Sequence, residues 1–303
     1  MHIVRNLEGY AADADLLLTI GVFDGVHTGH RAVLRQLLAQ RRAGVIVGVL
    51  TFDHHPQEFL HPGHAPWLVT TVDEKINLLD ACGIDVLFLL PFDERIQSMP
   101  AEIFLRDVLL KRLRTKLLVV GDNWRFGRNR TGDRTLAKRV FDEAGSAFEA
   151  SPLLESDGDK ISSSRIRTLI EQREFELADK LLGTPYTLNC VVRLGDGQGH
   201  VLGFPTVNLT VPPGKLVPPA GVYAAVAHHG GRDYRAAVSI GDKPTYGGSE
   251  SVVEVHLLGF DRSIYGEMVS VRAWRFLREQ QWFASKDELA AAIRRDVAMV
   301  ESL

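Results

Sequence analysis

Cysteine is nearly missing from this chain: Cys82 and Cys190 are the only two in 303 residues. Two thiols so far apart make no framework of the kind that staples small secreted domains, and both are expected as plain core thiols. Long apolar runs are missing too. No stretch approaches the ~18 residues that would suggest a membrane span. The opening residues, MHIVRNLEGYAADAD, lack the basic-then-apolar profile of a signal peptide. Charge of one sign is not in excess either. A net charge of −3 gives no overall electrostatic footprint for a nucleic acid or a membrane. No G-x-x-x-x-G-K-[ST] occurs, which excludes a P-loop nucleotidase, and GDGQG is not the G-x-G-x-x-G of a dinucleotide fold. These absences predict a cytoplasmic soluble protein with neither nucleic-acid nor membrane partner.

What is present is ordinary for a globular chain, with 45% hydrophobic and 24% charged residues, which argues against disorder. The length suits two domains better than one. Up to about residue 184 the pattern alternates apolar strand and amphipathic helix. LLLTIGVF, VIVGVLTF, DVLFLL and KLLVVG read as buried strands, with helices over His30–Arg42, over DEKINLLDAC and after Pro100. Continuous apolar strands alternating with helices predict a parallel, Rossmann-like sheet covered on both faces. After Gly183-Thr184-Pro185 the grammar changes to β runs broken by Gly/Pro turns, such as GVYAAVAHH, DYRAAVSIG and EMVSVRAWRFL. That pattern predicts a small antiparallel barrel, closed by a helix from about Lys286. The predicted domains are therefore 1–184 and 185–303.

The stretch GVFDGVHTGH follows the first strong strand. Glycines there let backbone N–H groups approach an anion, and the helix that follows offers orphan donors and a positive dipole end. His27 and His30, three residues apart, could steady charge on a transferring phosphoryl group. They could equally cap the helix or bind a metal. A second stretch, ISSSRIR, sets Ser162, Ser163, Arg165 and Arg167 at the head of another helix. Hydroxyls and guanidiniums suit phosphate, although a plain N-cap would look alike. In the second half, Thr206 and Asn208 of GFPTVN are two apart, so in a strand they share a face. Their oxygens could help hold Mg²⁺ beside a nucleotide, or simply face solvent. Glu254 interrupts the apolar VVEVHLL with a carboxylate facing opposite to Val253 and Val255, placed either to act as a general base or to lie on an exposed strand face.

Taken together, GVFDGVHTGH, TFDHHPQEF, VGDNWRFGRNRTGD and ISSSRIR, followed by LGFPTVNL, GVYAAV, SIGDKPTYGG, VEVHLLGFDRSIYGE and FLREQQWFASKDEL, stand in the order of bacterial bifunctional riboflavin kinase/FAD synthetases. The chain resembles that family over nearly its whole length, and its first domain resembles the HxGH nucleotidyltransferases. The resemblance implies that the second domain phosphorylates riboflavin to FMN, and that the first transfers AMP from ATP to FMN, giving FAD and pyrophosphate. It implies ATP as co-substrate, Mg²⁺ as cofactor, and riboflavin, FMN and ATP as the small-molecule partners. The sequence assigns no oligomeric state.

Carried over residue by residue, the resemblance places Gly21, Phe23, Asp24, Gly25, His27, His30, Ser162, Ser163 and Arg165 around the ATP of the adenylyltransferase. His55, Asn123 and Arg125 would lie beside flavin or nucleotide. Gly203, Pro205, Thr206, Asn208 and Arg278 would bind ATP or flavin in the kinase, with Thr206 and Asn208 on the metal and Glu254 as base. The chain departs from the family at His54, Trp124, Ser164, Cys190, Leu194 and His200. His54, His55, His61 and His64 together also invite a metal-site reading. Two alternatives stand beside the main reading. One is a paralogue acting on a modified flavin or with a single active module. The other is an RNA-binding or regulatory protein, motivated by KRLR and RFGRNRTGDR but opposed by the net charge and the lack of interleaved aromatic platforms.

Overall fold

The computed structural model describes residues 1–194, 203–245 and 248–302. The chain divides into two compact units, Met1–Ser163 and Ser164–Leu303.

The first unit is built on six parallel strands: β1 (His2–Val4), β2 (Asp15–Ile20), β3 (Val45–Phe52), β4 (Val86–Leu90), β5 (Thr115–Gly121) and β6 (Ala147–Ser151), in the order β1-β4-β3-β2-β5-β6. Alternation along each strand feeds two separate cores. Leu16, Leu18, Leu50, Phe88, Leu118 and Val120 point to one. Leu17, Val47, Val49, Leu87, Leu89 and Val119 point to the other. Helices α1 (Thr28–Leu38) and α3 (Val72–Ala81) cover the second face through Leu34, Leu37 and Leu79. On the first face, α5 (Ala101–Ile103) runs into a π-helical stretch (Phe104–Arg112) and packs beside α6 (Arg134–Glu143) through Leu105, Leu109, Val140 and Phe141. Each fully buried Leu or Phe contributes about 2 kcal/mol of transfer free energy, so both layers are strongly held. Short helices α2 (Pro56–Leu60) and α4 (Glu94–Ser98) decorate the strand ends, and β7 (Glu155–Ser156) pairs with β8 (Asp159–Lys160) as a small hairpin.

Strand order reverses at β2, whose neighbours are β3 and β5. The crevice beyond the C-terminal ends of β2 and β5 is thus the switch point where a doubly wound sheet receives its ligand. The loops in question are GVFDGVH and DNWRFGRNRTGD.

The second unit carries α7 (Ser163–Glu171, begun at the last residue of the first unit), α8 (Phe175–Leu182) and a closed antiparallel barrel. Its strands are β9 (Leu188–Arg193), β10 (Val207–Thr210), β11 (Gly221–His229), β12 (Arg232–Thr245), β13 (Gly248–Leu257) and β14 (Met268–Arg278), ordered β10-β13-β12-β11-β14-β9. Period-two alternation buries Cys190, Val192, Leu209, Tyr223, Val238, Val253, Val255 and Val271. Helix α9 (Lys286–Ser302) packs on β11 and β12. The α/β-plus-barrel architecture expected from the sequence is present. Cys190 is buried and Cys82 partly buried, and neither is in a disulfide.

Candidate functional sites

The predicted strand LLLTIGVF stops at Ile20. Beyond it the backbone enters the left-handed region at Phe23 (φ 55°), Gly25 (φ 81°) and Val26 (φ 39°). Only glycine adopts such angles cheaply, so Phe23 and Val26 stay there because their surroundings hold them. Both side chains are buried. Thr70 grips the turn from the start of α3: its Oγ1 accepts the Gly25 N–H at 2.9 Å, and its N–H donates to the Asp24 carboxylate at 3.0 Å. Asp24 is 4% exposed, so its carboxylate shapes the loop from beneath. Ser163 Oγ donates to the Asp24 carbonyl at 2.8 Å, which ties ISSSRIR to GVFDGVHTGH. Of the other members of that motif, Ser162 directly precedes Ser163, and Arg165 lies beyond the division in the second unit.

His27 is the N-cap of α1, and its Nδ1 accepts the His30 N–H at 3.3 Å. An accepting Nδ1 fixes the tautomer and leaves Nε2–H as the free donor. The two imidazoles stack with centroids 3.6 Å apart and an interplanar angle of 15°. Burial, reinforced by Lys160, pulls the His27 pKa down to about 4. Burial first, then the cost of charging two stacked rings together and the Lys75 ammonium, hold His30 well below the ordinary histidine range. Both rings are therefore neutral near pH 7. His30 Nδ1 is buried without a hydrogen-bond partner among the described residues, an uncommon state in native structures that leaves it open to a ligand, an ion or a water. Gly29 makes the stack possible. A Cβ there would sit 3.0 Å from His27 Cε1 and 3.1 Å from its Nδ1.

Lys75 was not anticipated. Its side chain is buried, with Nζ donating to the Phe52 carbonyl at 2.6 Å and the Val22 carbonyl at 3.4 Å. His55 caps α2 as His27 caps α1: its Nδ1 accepts the Gln57 N–H at 3.2 Å, and Glu58 returns a bond to the His55 N–H. Across the switch point, Asn123 and Arg125 lie on the loop after β5, where Arg125 pairs with Asp133 at 3.4 Å. Trp124 stacks on Phe126 at 4.0 Å, so this departure is packed against its neighbour's ring. His54 binds Asp53, and among the described residues no cluster of three or more His, Cys, Asp or Glu side chains could hold a metal.

In the barrel, Thr206 leads into β10 and Asn208 lies on it. Both line a cavity of about 520 Å³ with Phe260, Asp261, Arg262 and Tyr265. Asn208 and Glu254 are direct cross-strand partners, and Ser239 flanks Glu254 from the other side. Val253 and Val255 are fully buried, so the half-buried Glu254 faces away from the barrel core, as its pattern predicted. His256, two residues on and missed in the sequence, donates from Nδ1 to the Pro205 carbonyl at 2.7 Å and packs edge-on against Phe204 at 5.8 Å. It thereby braces GFPT, in which Gly203 takes a left-handed turn. Arg278 makes a two-pronged bond to the buried Asp296 of α9, at 2.9 and 2.7 Å, and its guanidinium lies 5.8 Å from the Phe283 ring centroid. A second cavity of about 480 Å³ is lined by Trp282, Phe283 and Arg295 beside that pair. A third, near 620 Å³ on α6, is lined by Lys138, Arg139, Asp142 and Glu143, whose charges pair with one another. Leu194 is exposed, and Gly195 and His200 lie outside the described residues.

A switch-point crevice with a histidine-capped helix, joined in one chain to a barrel carrying an acid–amide pair, defines a two-site phosphate-group transferase architecture. Family comparison gives the particulars. A FAD synthetase model matches residues 10–165, and a riboflavin kinase model matches residues 182–303. The bifunctional riboflavin kinase/FMN adenylyltransferase of Escherichia coli K12 is 37% identical over 301 residues, covering 98% of this chain and 96% of its own. That of Haemophilus influenzae is 33% identical over 295 residues, covering 97% and 94%. Among solved structures, a macrolide-efflux protein from Streptococcus pneumoniae superposes with a TM-score of 0.88 at 29% identity, covering 99% of this chain and 98% of that one. The chain belongs to the bifunctional riboflavin kinase/FMN adenylyltransferase family.

Proposed function

We propose that this chain makes FMN and then FAD, using two ATP. In the second unit the terminal ribityl hydroxyl of riboflavin attacks the γ-phosphorus of ATP. Glu254 takes the hydroxyl proton, and ADP leaves. Glu254 suits that role because it stands on a rigid strand beside Asn208, on the face away from the barrel core. Thr206 and Asn208 supply hard oxygen donors at the cavity, the chemistry Mg²⁺ favours, with nucleotide phosphates completing its shell. When bound there, the ion would supply charge neutralisation on the phosphates.

In the first unit a phosphate oxygen of FMN attacks the α-phosphorus of ATP. The bond to the bridging oxygen breaks, and pyrophosphate departs with the negative charge. His27 Nε2–H, His30 and the N–H groups opening α1 are fixed donors for that charge and need little reorganisation as it develops. Asp24, Gly21, Gly25 and Phe23 shape the loop, and Ser162 and Ser163 serve the phosphates from the second motif. His55, Asn123 and Arg125 bound the remainder of the substrate crevice.

The observation carrying this reading is the neutral, stacked His27–His30 pair, with a buried unpartnered Nδ1 at a helix N-terminus on the sheet's switch point. We take the activity of the curated relatives rather than macrolide efflux, because these side chains are equipped for group transfer. The functional boundary is set at 184/185, and the enzyme is assigned to the cytoplasm. Incubation with riboflavin, ATP and Mg²⁺, followed by chromatography of the flavins, is expected to show FMN and FAD in succession. FAD formed only from supplied FMN would overturn the kinase assignment, and no turnover of either flavin by folded protein would overturn both.

A further inference from the structure

From the geometry we infer that Lys75 is a positioning residue for adenylyl transfer, a buried cation that fixes the histidine loop against the loop after β3. The inference rests on the assignment of the His27–His30 loop as the adenylyl-transfer site.

Lys75 lies on α3 one turn before Leu79, where the apolar stripe would call for another aliphatic side chain. Instead an ammonium is buried, with 7% of the residue exposed. It bonds to two carbonyls from different strands: Val22, two residues past β2, and Phe52, the last residue of β3. Those carbonyls mark where the two loops leave the sheet, one leading to His27 and His30 and the other to His55. A single side chain therefore fixes one wall of the crevice, the loop after β2, against the loop after β3. The carboxylates of Asp24 and Asp53 are its opposing charges, and His30 on the site side feels its field.

An apolar residue could hold the helix on the sheet without the cost of burying a charge. What it could not do is bind both strand-end carbonyls and place positive potential beneath an incoming polyphosphate. The same field adds to the burial that keeps His30 neutral, because a second cation close to Lys75 is unfavourable. Lys75 belongs to the first unit and is not placed at the reacting atoms, so its loss is predicted to act on one reaction alone.

The test uses the full chain with Lys75→Met, Lys75→Arg and, as reference, His30→Ala. Rates of FMN adenylylation are expressed per folded molecule, the folded fraction being taken from amide hydrogen exchange over β2 and β3. For Lys75→Met the expected result is a kcat lowered about a hundredfold, the scale of an ångström-level misplacement. The KM for FMN is expected to stay nearly constant, and riboflavin phosphorylation to stay at the wild-type rate. Lys75→Arg keeps the cation and is expected to stay within about tenfold of wild type. A Lys75→Met kcat per folded molecule close to wild type would overturn the inference, and so would equal losses in the Met and Arg variants. Should Lys75→Met leave β2 and β3 unprotected from exchange, Lys75→Arg decides alone: retained turnover supports the role, and a loss as deep as that of His30→Ala refutes it. If His30→Ala itself leaves adenylylation intact, the site assignment fails first, and that outcome is distinct from normal turnover in the Lys75 variants alone.

Discussion

Replacing Gly29 by Ala should leave stability nearly unchanged and lower one activity. Gly29 sits in the first turn of α1, where alanine is preferred over glycine by up to about 1 kcal/mol. Its backbone is not in the left-handed region, so no strain opposes the change. The obstacle is His27. The new Cβ would lie 3.0 Å from Cε1 and 3.1 Å from Nδ1 of that ring, a few tenths of an ångström inside ordinary contact. The ring cannot retreat freely, because the His30 ring is stacked on it at 3.6 Å. Its shift weakens the 3.3 Å bond to the His30 N–H, a contact worth about 1 kcal/mol, which roughly cancels the helical gain. Stability should therefore change by less than about 1 kcal/mol in either direction. Catalysis should not be spared. Donors aimed at a developing charge lose their effect when displaced, and a fall of about tenfold to a hundredfold in FMN adenylylation is expected. Thermal melting and chromatographic assay of both reactions on one preparation check the prediction. An adenylylation rate equal to wild type, in a protein of equal melting temperature, would refute the claim that Gly29 exists to seat His27.

Three further outcomes follow from geometry already described. Glu254→Gln should stop FMN formation while leaving conversion of supplied FMN to FAD unaltered; an unaltered kinase rate would remove its role as base. Asp296→Ala should cost about 3 kcal/mol, because it strands the Arg278 guanidinium against a buried helix face, and denaturant titration should show it as earlier unfolding of the barrel unit. Stability should also fall on acidification from about pH 6.5 towards 4. In that window the unfolded chain binds a proton at His27 that the folded chain, with its pKa pulled down to about 4, refuses. That difference is on the order of 3 kcal/mol, and urea midpoints of His27→Gln should show a correspondingly flatter pH dependence.

The sequence made most strands legible, those of the first unit as continuous apolar runs and those of the barrel as short β runs broken by Gly/Pro turns. It made the sites legible where residues of unusual chemistry stood close together, as in HTGH, SSSR and VEVH. Where the reading erred or fell silent, the missing information was long-range. The strand after Asp15 was carried to Phe23, because an apolar run gives no sign that Thr70, about fifty residues on, bends it at Gly25. Lys75 left one trace, a charge on the apolar stripe of α3, but its two carbonyl partners come from strands that the helix meets only in three dimensions. His256 and Asp296 share this character. Each is an ordinary surface letter in the sequence, and each acquires meaning from a partner brought over by the barrel.

The closure of that barrel has a consequence for the protein in crowded solution. With β9 hydrogen-bonded to both β10 and β14, all six strands have two neighbours, and among its described residues the barrel presents no row of unpaired backbone on which another chain could add a strand. The parallel sheet is different, for it ends on β1 and on β6. The first of these is three residues long, and a template so short holds a stranger poorly. The β6 edge is five residues long and partly exposed, and its Glu149 is bonded to Gln36 of α1. If this enzyme self-associates through its backbone on heating or at high concentration, β6 is where the first foreign strand will dock, and a lysine or proline placed there is the change that should keep it apart.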